Sequence, residues 1–469
     1  MILIAAAAAL AIVAQDQAAL RAAASSAAPQ QAVLIQGDAL EIRGSRMDFL
    51  QVYDHRRERG GFVRASQVRV VDPSPEHAAE LLAVVRFLRD ADGSEALGIA
   101  FAAAYLKAAP AQAIDAEPFD ALGTMAQHLA DRASSRQNKS DAAKVAAQLE
   151  VVAAYGVHFA SFERDGRMQL CYDGDAFKRV LSLPASAEQR ARAALALTSH
   201  ECVDPNLRPT ERFAFDDWRA QVLEKVETAD LPEVMKNRIR LRRAGVWSTV
   251  AYEKSRRGEA TEGPANRALI ELASVNKSEL ADEDRTAYTE AAVRVGASRW
   301  AAEPEVAPRP GLSIATAAGE PGQTCVLLMD DKHDAPHALA KRCTYGIVWA
   351  ASASANSTGT ALTLAVQPLE TWREVWLFRR AANGWTVSVL PPASSDPDIG
   401  YAEFAGWVPG GRRMLVAREA RSAGRWKKSF EVVRLDDLST EKHADAPASL
   451  STFYRWQSPQ WKSQTISLR

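Results

Sequence analysis

The apolar residues of this chain change period twice, and each change falls at a cluster of prolines. Up to Val71 they alternate with polar residues, from Ala78 to Trp300 they recur every three or four positions, and beyond Pro310 they alternate again. Asp72-Pro73-Ser74-Pro75 marks the first break: Ser74 can cap a helix, Pro75 suits its first position, and Ala78, Leu81, Leu82, Val85 and Leu88 form one stripe. Glu303-Pro304-Glu305-Val306-Ala307-Pro308-Arg309-Pro310 marks the second, because each proline lacks an amide donor and restricts its predecessor. The breaks predict an α+β multidomain chain. Its segments are a small β module at 15–72, a mainly helical middle domain with one β-hairpin at 73–302, a Pro-rich linker at 303–310 and an antiparallel all-β domain at 311–469.

The first residues carry a different signal. Ile2 to Val13 is an unbroken apolar run, too short to cross a bilayer but matching the central region of a secretory leader, with a cut expected after Ala14. The n-region has no Lys or Arg, so a buried N-terminal helix is the competing reading. No later stretch reaches the apolar length of a membrane-spanning helix. Export places the four cysteines in an oxidising compartment, where an even count reads as structural bridges. Of three possible pairings, Cys171 with Cys202 and Cys325 with Cys343 keep each bridge within one expected domain. There is no Cys-x-x-Cys, so neither a zinc knuckle nor a thioredoxin-like site is expected. With 57 Lys plus Arg against 58 Asp plus Glu, the net charge of −1 provides no field to gather phosphates, so nucleic acid is not an expected partner.

Within the first module, Ala39 to Arg43 alternates, Gly44-Ser45 interrupts, and Phe49 to Asp54 resumes. His55 to Arg59 then forms a charged hairpin loop before Gly60-Gly61, and Phe62 to Arg64 and Val68 to Val71 complete roughly five strands, enough for a small closed barrel. The order "Leu20-Arg21-Ala22", "Val33-Leu34-Ile35-Gln36-Gly37-Asp38", "Leu40-Glu41-Ile42-Arg43-Gly44", "Phe49-Leu50-Gln51-Val52" and "Gly61-Phe62-Val63-Arg64-Ala65-Ser66-Gln67-Val68" resembles the bacterial SH3-like domain. The resemblance implies an SH3-like barrel that binds cell-wall peptide or another envelope protein, with Phe49, Tyr53 and Phe62 as ligand-facing residues. Where the family usually carries Trp, this chain carries Phe49-Leu50.

Further on, Asp165-Gly166 between alternating flanks predicts a hairpin ending at Cys171, and Asn383-Gly384 and Gly410-Gly411 predict others in the C-terminal domain. The run from Gly406 to Ala417 resembles a blade element of TolB-type β-propellers, with Trp349 and Trp456 in comparable settings. The Trp spacing allows about three blades where closed propellers need at least four, so a partial propeller and a sandwich both stay open.

The chemistry-bearing candidates mostly have simpler explanations. His333 and His337 with Asp330, Asp331 and Asp334 are the most metal-like group, but Pro336 disfavours the helix that would align them, and a solvated acidic loop is expected. His200-Glu201-Cys202 has the atoms of a thiol hydrolase, yet a bridged Cys202 cannot attack. Asp173-Gly174-Asp175 lacks the rest of a calcium loop and reads as a helix cap. Lys236, Arg238, Arg240, Arg242 and Arg243 spread around a helix as a solvated face. Trp372, Trp376 and Trp385 read as β core before a sugar or peptide platform. No cofactor or metal is expected. The sequence therefore points to a periplasmic or secreted, non-catalytic binding or scaffolding protein of the bacterial envelope without a transmembrane segment in its mature form. The alternative is a cell-wall hydrolase with its site between helical and β domains.

Overall fold

The computed structural model describes residues 9–135, 138–164, 166–304, 311–394 and 396–462. They form a mixed α/β chain in two compact units: Met1–Leu207 with Lys225–Leu231, and Arg208–Glu224 with Pro232–Arg469. The helices of 73–302 are thereby divided, those up to Leu207 falling with the N-terminal sheet and those from Arg208 with the C-terminal sheets. Most of the expected linker, 305–310, lies outside the described residues.

The first unit opens with a seven-stranded antiparallel sheet, in the order Gln30–Leu34, Ala18–Arg21, Arg59–Arg64, Phe49–Asp54, Ala39–Arg46, Leu10–Val13, Val68–Val71. Alternation sends Leu20, Leu34, Leu40, Val52, Val63 and Val68 to one buried face. Gly61 is required where two strands cross, since a Cβ there would lie 2.7 Å from the Leu20 side chain. Contrary to the closed barrel expected, the sheet is open, with no ladder joining its two edge strands. The physical reason is that one end of the sheet is covered by helices: Ile12 and Val71 join Leu81, Val85, Leu88, Ile99 and Met125 in a single apolar core. Gly37, at φ 90°, sits so close to a helix that a Cβ would meet the Ala96 carbonyl at 2.5 Å. Tyr155 donates to the Gly37 carbonyl at 2.6 Å, and Gln148 Nε2 to Asp16 at 3.1 Å, fixing the same join.

The last residues of the expected leader are paired in the folded chain. Leu10–Val13 is a strand of this sheet, paired antiparallel with Ala39–Arg46 on one side and Val68–Val71 on the other, and Ile12 is 1% exposed. A cut after Ala14 would remove it. An apolar run satisfies a leader's central region and a doubly paired strand equally well, because both require only unbroken hydrophobicity over a few residues.

The helices Ala78–Leu88, Glu95–Ala108, Glu117–Ser134 and Lys139–Ala153 follow. The Leu81, Val85 and Leu88 stripe faces the core as its spacing predicts. Ser74 does not cap through its side chain; its hydroxyl instead meets His77 Nδ1 at 3.0 Å, and a short 3₁₀ turn, Pro75–His77, leads into the helix. The hairpin Phe159–Arg164/Arg167–Tyr172 turns at Gly166, φ 71°; Asp165 lies outside the described residues. A disulfide joins Cys171 to Cys202, tying that hairpin to the segment after helix Ala187–Leu197.

In the second unit the helices Glu233–Arg256, Glu262–Ala273 and Arg285–Ser298 pack around Leu241, Ala244, Ala268, Leu272 and Val295, and Pro209–Glu224 packs against Glu233–Arg256. The strands make a three-stranded sheet, Ser313–Ala318, Thr324–Met329 and Ala340–Thr344, in which Cys325 and Cys343 are register partners and disulfide-bonded. An eight-stranded sheet follows, running from Ile347–Ala355 to Thr440–Ala444. Within it, Trp372–Ala381 touches Ile399–Val408 through a short parallel contact, Trp372 opposite Gly400 and Arg373 opposite Tyr401.

Candidate functional site

Strand register decides what the N-terminal sheet offers to solvent. Gln51 opposes Phe62, Phe49 opposes Arg64 and Glu41 opposes Tyr53, so Phe49, Tyr53 and Phe62 share the face opposite the apolar core. Phe49 is 3% exposed, with the Arg64 guanidinium 5.5 Å from its ring centre, and contributes packing. Tyr53 and Phe62 are half-buried and present ring surface. Around Tyr53 the charges are ordered: Arg43 lies 4.0 Å from the ring centre, His55 packs edge-on at 4.9 Å, and both bind Glu41, His55 Nε2 at 2.8 Å and Arg43 Nη2 at 3.2 Å. The hydrogen bonds from Arg43 and His55 hold the Glu41 carboxyl below its ordinary range. The result is a shallow patch of aromatic rings set among guanidinium groups, suited to a flat apolar group that carries a carboxylate.

A second polar convergence lies inside the other unit, where its helices meet its large sheet, and sequence reasoning missed it. Helix Pro209–Glu224 carries Arg212, Asp216 and Arg219 at helical spacing, so all three face one way. Arg212 Nε binds Asp216 at 2.5 Å, its Nη2 reaches Glu370 at 3.1 Å, and Arg219 closes on the other Asp216 oxygen. Thr249 donates to Glu370 at 2.6 Å, and Arg294 lies 3.3 Å from Glu370 and 2.8 Å from Glu290. Glu253, buried on helix Glu233–Arg256, is 3.9 Å from an Arg212 guanidinium already committed to Asp216 and Glu370. Burial, reinforced by the Asp216 and Glu370 charges, pushes the Glu253 carboxyl up to about 9 despite Arg212. Glu253 therefore holds its proton at neutral pH and shares a hydrogen bond with Asp216. A protonated carboxyl beside ionised ones is the arrangement of a general acid with a base. The only local trace of it was the Arg212–Asp216 spacing, since Glu253 and Glu370 come from distant segments.

The remaining candidates separate. His333 Nδ1 pairs with Asp330 at 2.7 Å and His337 Nδ1 with Asp334 at 2.8 Å, while Asp331 accepts from the Gly311 amide at 2.9 Å. Among the described residues, no group of three or more His, Cys, Asp or Glu is placed to hold a metal. Cys202 of His200-Glu201-Cys202 is in a disulfide. Gly174, at φ 80°, precedes the helix that Asp175 opens, and Asp173 accepts from the Asp175 amide at 3.1 Å, a capping turn. In the basic stretch, Arg238 pairs with Asp284 at 2.9 Å, Arg240 with Glu233 at 2.8 Å, and Arg243 donates to the Leu223 carbonyl at 2.7 Å. Trp372 and Trp376 are buried, and Trp385 packs against the same core as Trp376.

No family model, no curated protein and no solved structure matches the chain.

Proposed function

We propose that this chain is an exported, non-catalytic binding or scaffolding protein of the bacterial cell envelope, and that its N-terminal sheet is an SH3-like module contacting cell-wall peptide or another envelope protein. The observation that carries the reading is the Tyr53–Phe62 face, where half-exposed rings stand with Arg43 and Arg64 while the opposite face is packed. Guanidinium groups recognise carboxylates and ring faces recognise apolar stems, the two features of an amino-acid chain with acidic side groups. Two disulfides support a periplasmic or secreted location, since such bridges persist in oxidising compartments. No helix among the described residues is long and apolar enough to cross a membrane. In the same reading the C-terminal sheets, as a partial propeller or a sandwich, serve as scaffold.

The test is retention on purified peptidoglycan. Point substitutions are the right tool, because deleting the module would strip the helical core of Ile12 and Val71. Tyr53→Ala combined with Phe62→Ala should lower retention at least about tenfold, two lost ring contacts being worth roughly 1–2 kcal/mol or more. Retention equal to wild type removes this face from the proposal.

One observation favours a second reading, a cell-wall hydrolase: Asp216, Glu253 and Glu370 converge where the helices of the second unit meet its sheet. Glu253 would act as the acid and Asp216 as the base. Release of soluble fragments from peptidoglycan, abolished by Glu253→Gln, would establish it. No release by the wild-type protein would dismiss it.

A further inference from the structure

The face that carries Tyr53 already holds a carboxylate. Glu41 lies opposite Tyr53 in the strand register, and its side chain accepts from His55 Nε2 at 2.8 Å and from Arg43 Nη2 at 3.2 Å. Both donors also touch the ring: the Arg43 guanidinium carbon is 4.0 Å from the Tyr53 ring centre, and the His55 ring stands edge-on at 4.9 Å. Arg43 is the extra residue of a β-bulge, between Ile42 opposite Val52 and Gly44 opposite Gln51, a position that re-aims a side chain. The group is open to solvent. The Arg43 side chain is 46% exposed, that of His55 68% and that of Glu41 29%. Among the described residues the side chains of Arg43 and His55 bind no other acceptor, so most of the guanidinium fork is left over.

We propose that Glu41 is an internal competitor for the carboxylate of an acidic peptide, occupying the Arg43 and His55 donors until the ligand displaces it. The inference rests on the reading of this face as a peptide-binding surface and adds what regulates it. A side-chain carboxylate and a ligand carboxylate present the same two acceptor oxygens, so the group seated beside Tyr53 shows which chemistry fits there. The pair is also one that can open. An exposed ion pair biases the closed arrangement by no more than about fivefold. Glu41 makes a single bond to Arg43, whereas a peptide can engage two guanidinium nitrogens and lay an apolar stem on the Tyr53 ring. Wild-type affinity is then lowered by the share of molecules in which Glu41 holds the donors. The hydrogen bonds from Arg43 and His55 keep the Glu41 carboxyl below its ordinary range, so the competitor stays charged wherever an ordinary ligand carboxylate does.

The experiment titrates the full chain with soluble peptidoglycan stem peptides, once with free carboxylates and once amidated. Glu41→Gln should tighten binding of the free acids by about fivefold and leave the amidated peptides unchanged. Glu58→Gln removes the same charge from the exposed hairpin loop that follows Phe49–Asp54, and at physiological salt it should shift either affinity by less than about twofold. Arg43→Gln should weaken the free acids by about tenfold, with or without Glu41→Gln. In crystals of the wild-type complex a peptide carboxylate should stand within hydrogen-bond distance of Arg43 with Glu41 turned away, a readout that needs no variant. Equal affinity of wild type and Glu41→Gln for the free acids overturns the competitor and leaves the binding surface in place. No binding by either protein overturns both together. A gain from Glu58→Gln as large as that from Glu41→Gln also overturns the proposal, because the effect would then belong to net charge.

Discussion

Removal of residues 1–14 will cost the N-terminal unit its cooperative unfolding transition. The strand Leu10–Val13 is held on both sides, Leu10, Ala11 and Ile12 opposing Glu41, Leu40 and Ala39, and Leu10 to Val13 opposing Val71 to Val68. Its loss would leave buried amide and carbonyl groups of two neighbouring strands unpaired, each costing on the order of 1–3 kcal/mol. It would also take Ile12 from the core shared with the helices. A domain stable by about 5–15 kcal/mol does not survive that sum. Ile12→Ala, which keeps the strand and deletes only side-chain carbons, is the graded version: about 2–5 kcal/mol of destabilisation, read as a shift of the denaturant midpoint with unchanged slope. Near-ultraviolet circular dichroism and hydrogen exchange on the shortened protein measure the larger effect. Wild-type protection of Ala39–Arg46 after removal of residues 1–14 would show that the strand is dispensable.

Glu253→Gln will stabilise the protein, and by more as the pH rises. The folded state holds the Glu253 proton far more tightly than the unfolded chain, whose carboxyl titrates near 4.5. A group with its folded pKa raised in this way gives its full contribution below about 4.5, and loses it as pH climbs toward the folded value, because only the unfolded state gains from ionising. Glutamine keeps the shape and a donor for Asp216 and has no proton to lose. The Tm difference between variant and wild type should be small near pH 5 and grow to several degrees by pH 8, with Arg212, Arg219, Arg294, Asp216, Glu290 and Glu370 unchanged in both proteins. A variant that melts lower than wild type by the same amount at every pH would mean that Glu253 is ionised and paired with Arg212.

What could be read from the sequence was whatever depends on near neighbours. The two changes of hydrophobic period, the Gly166 and Gly384 turns and the stripe Leu81–Val85–Leu88 are local rules, and the folded chain follows them. The cysteine pairs were also accessible, since each bridge closes a short span within one compact unit. Leu10–Val13 was opaque for the opposite reason: strand and leader make the same demand on four apolar residues, and only the partners at Glu41 and Val71 distinguish them. The same holds for the open sheet, because the helices that pack at its Ile12–Val71 end come from later in the chain. The acid cluster needed Asp216, Glu253 and Glu370 brought together from three segments.

The central claim, that the ring-and-guanidinium face of the N-terminal sheet is a peptide-binding surface, is tested most directly by hydrogen exchange of the wild-type protein with and without soluble peptidoglycan stem peptides. The account predicts slowed exchange confined to Ala39–Arg46, Phe49–Asp54 and Arg59–Arg64, saturating with peptide concentration. Unchanged exchange in those three strands at saturating peptide, or protection appearing only elsewhere in the chain, would contradict it.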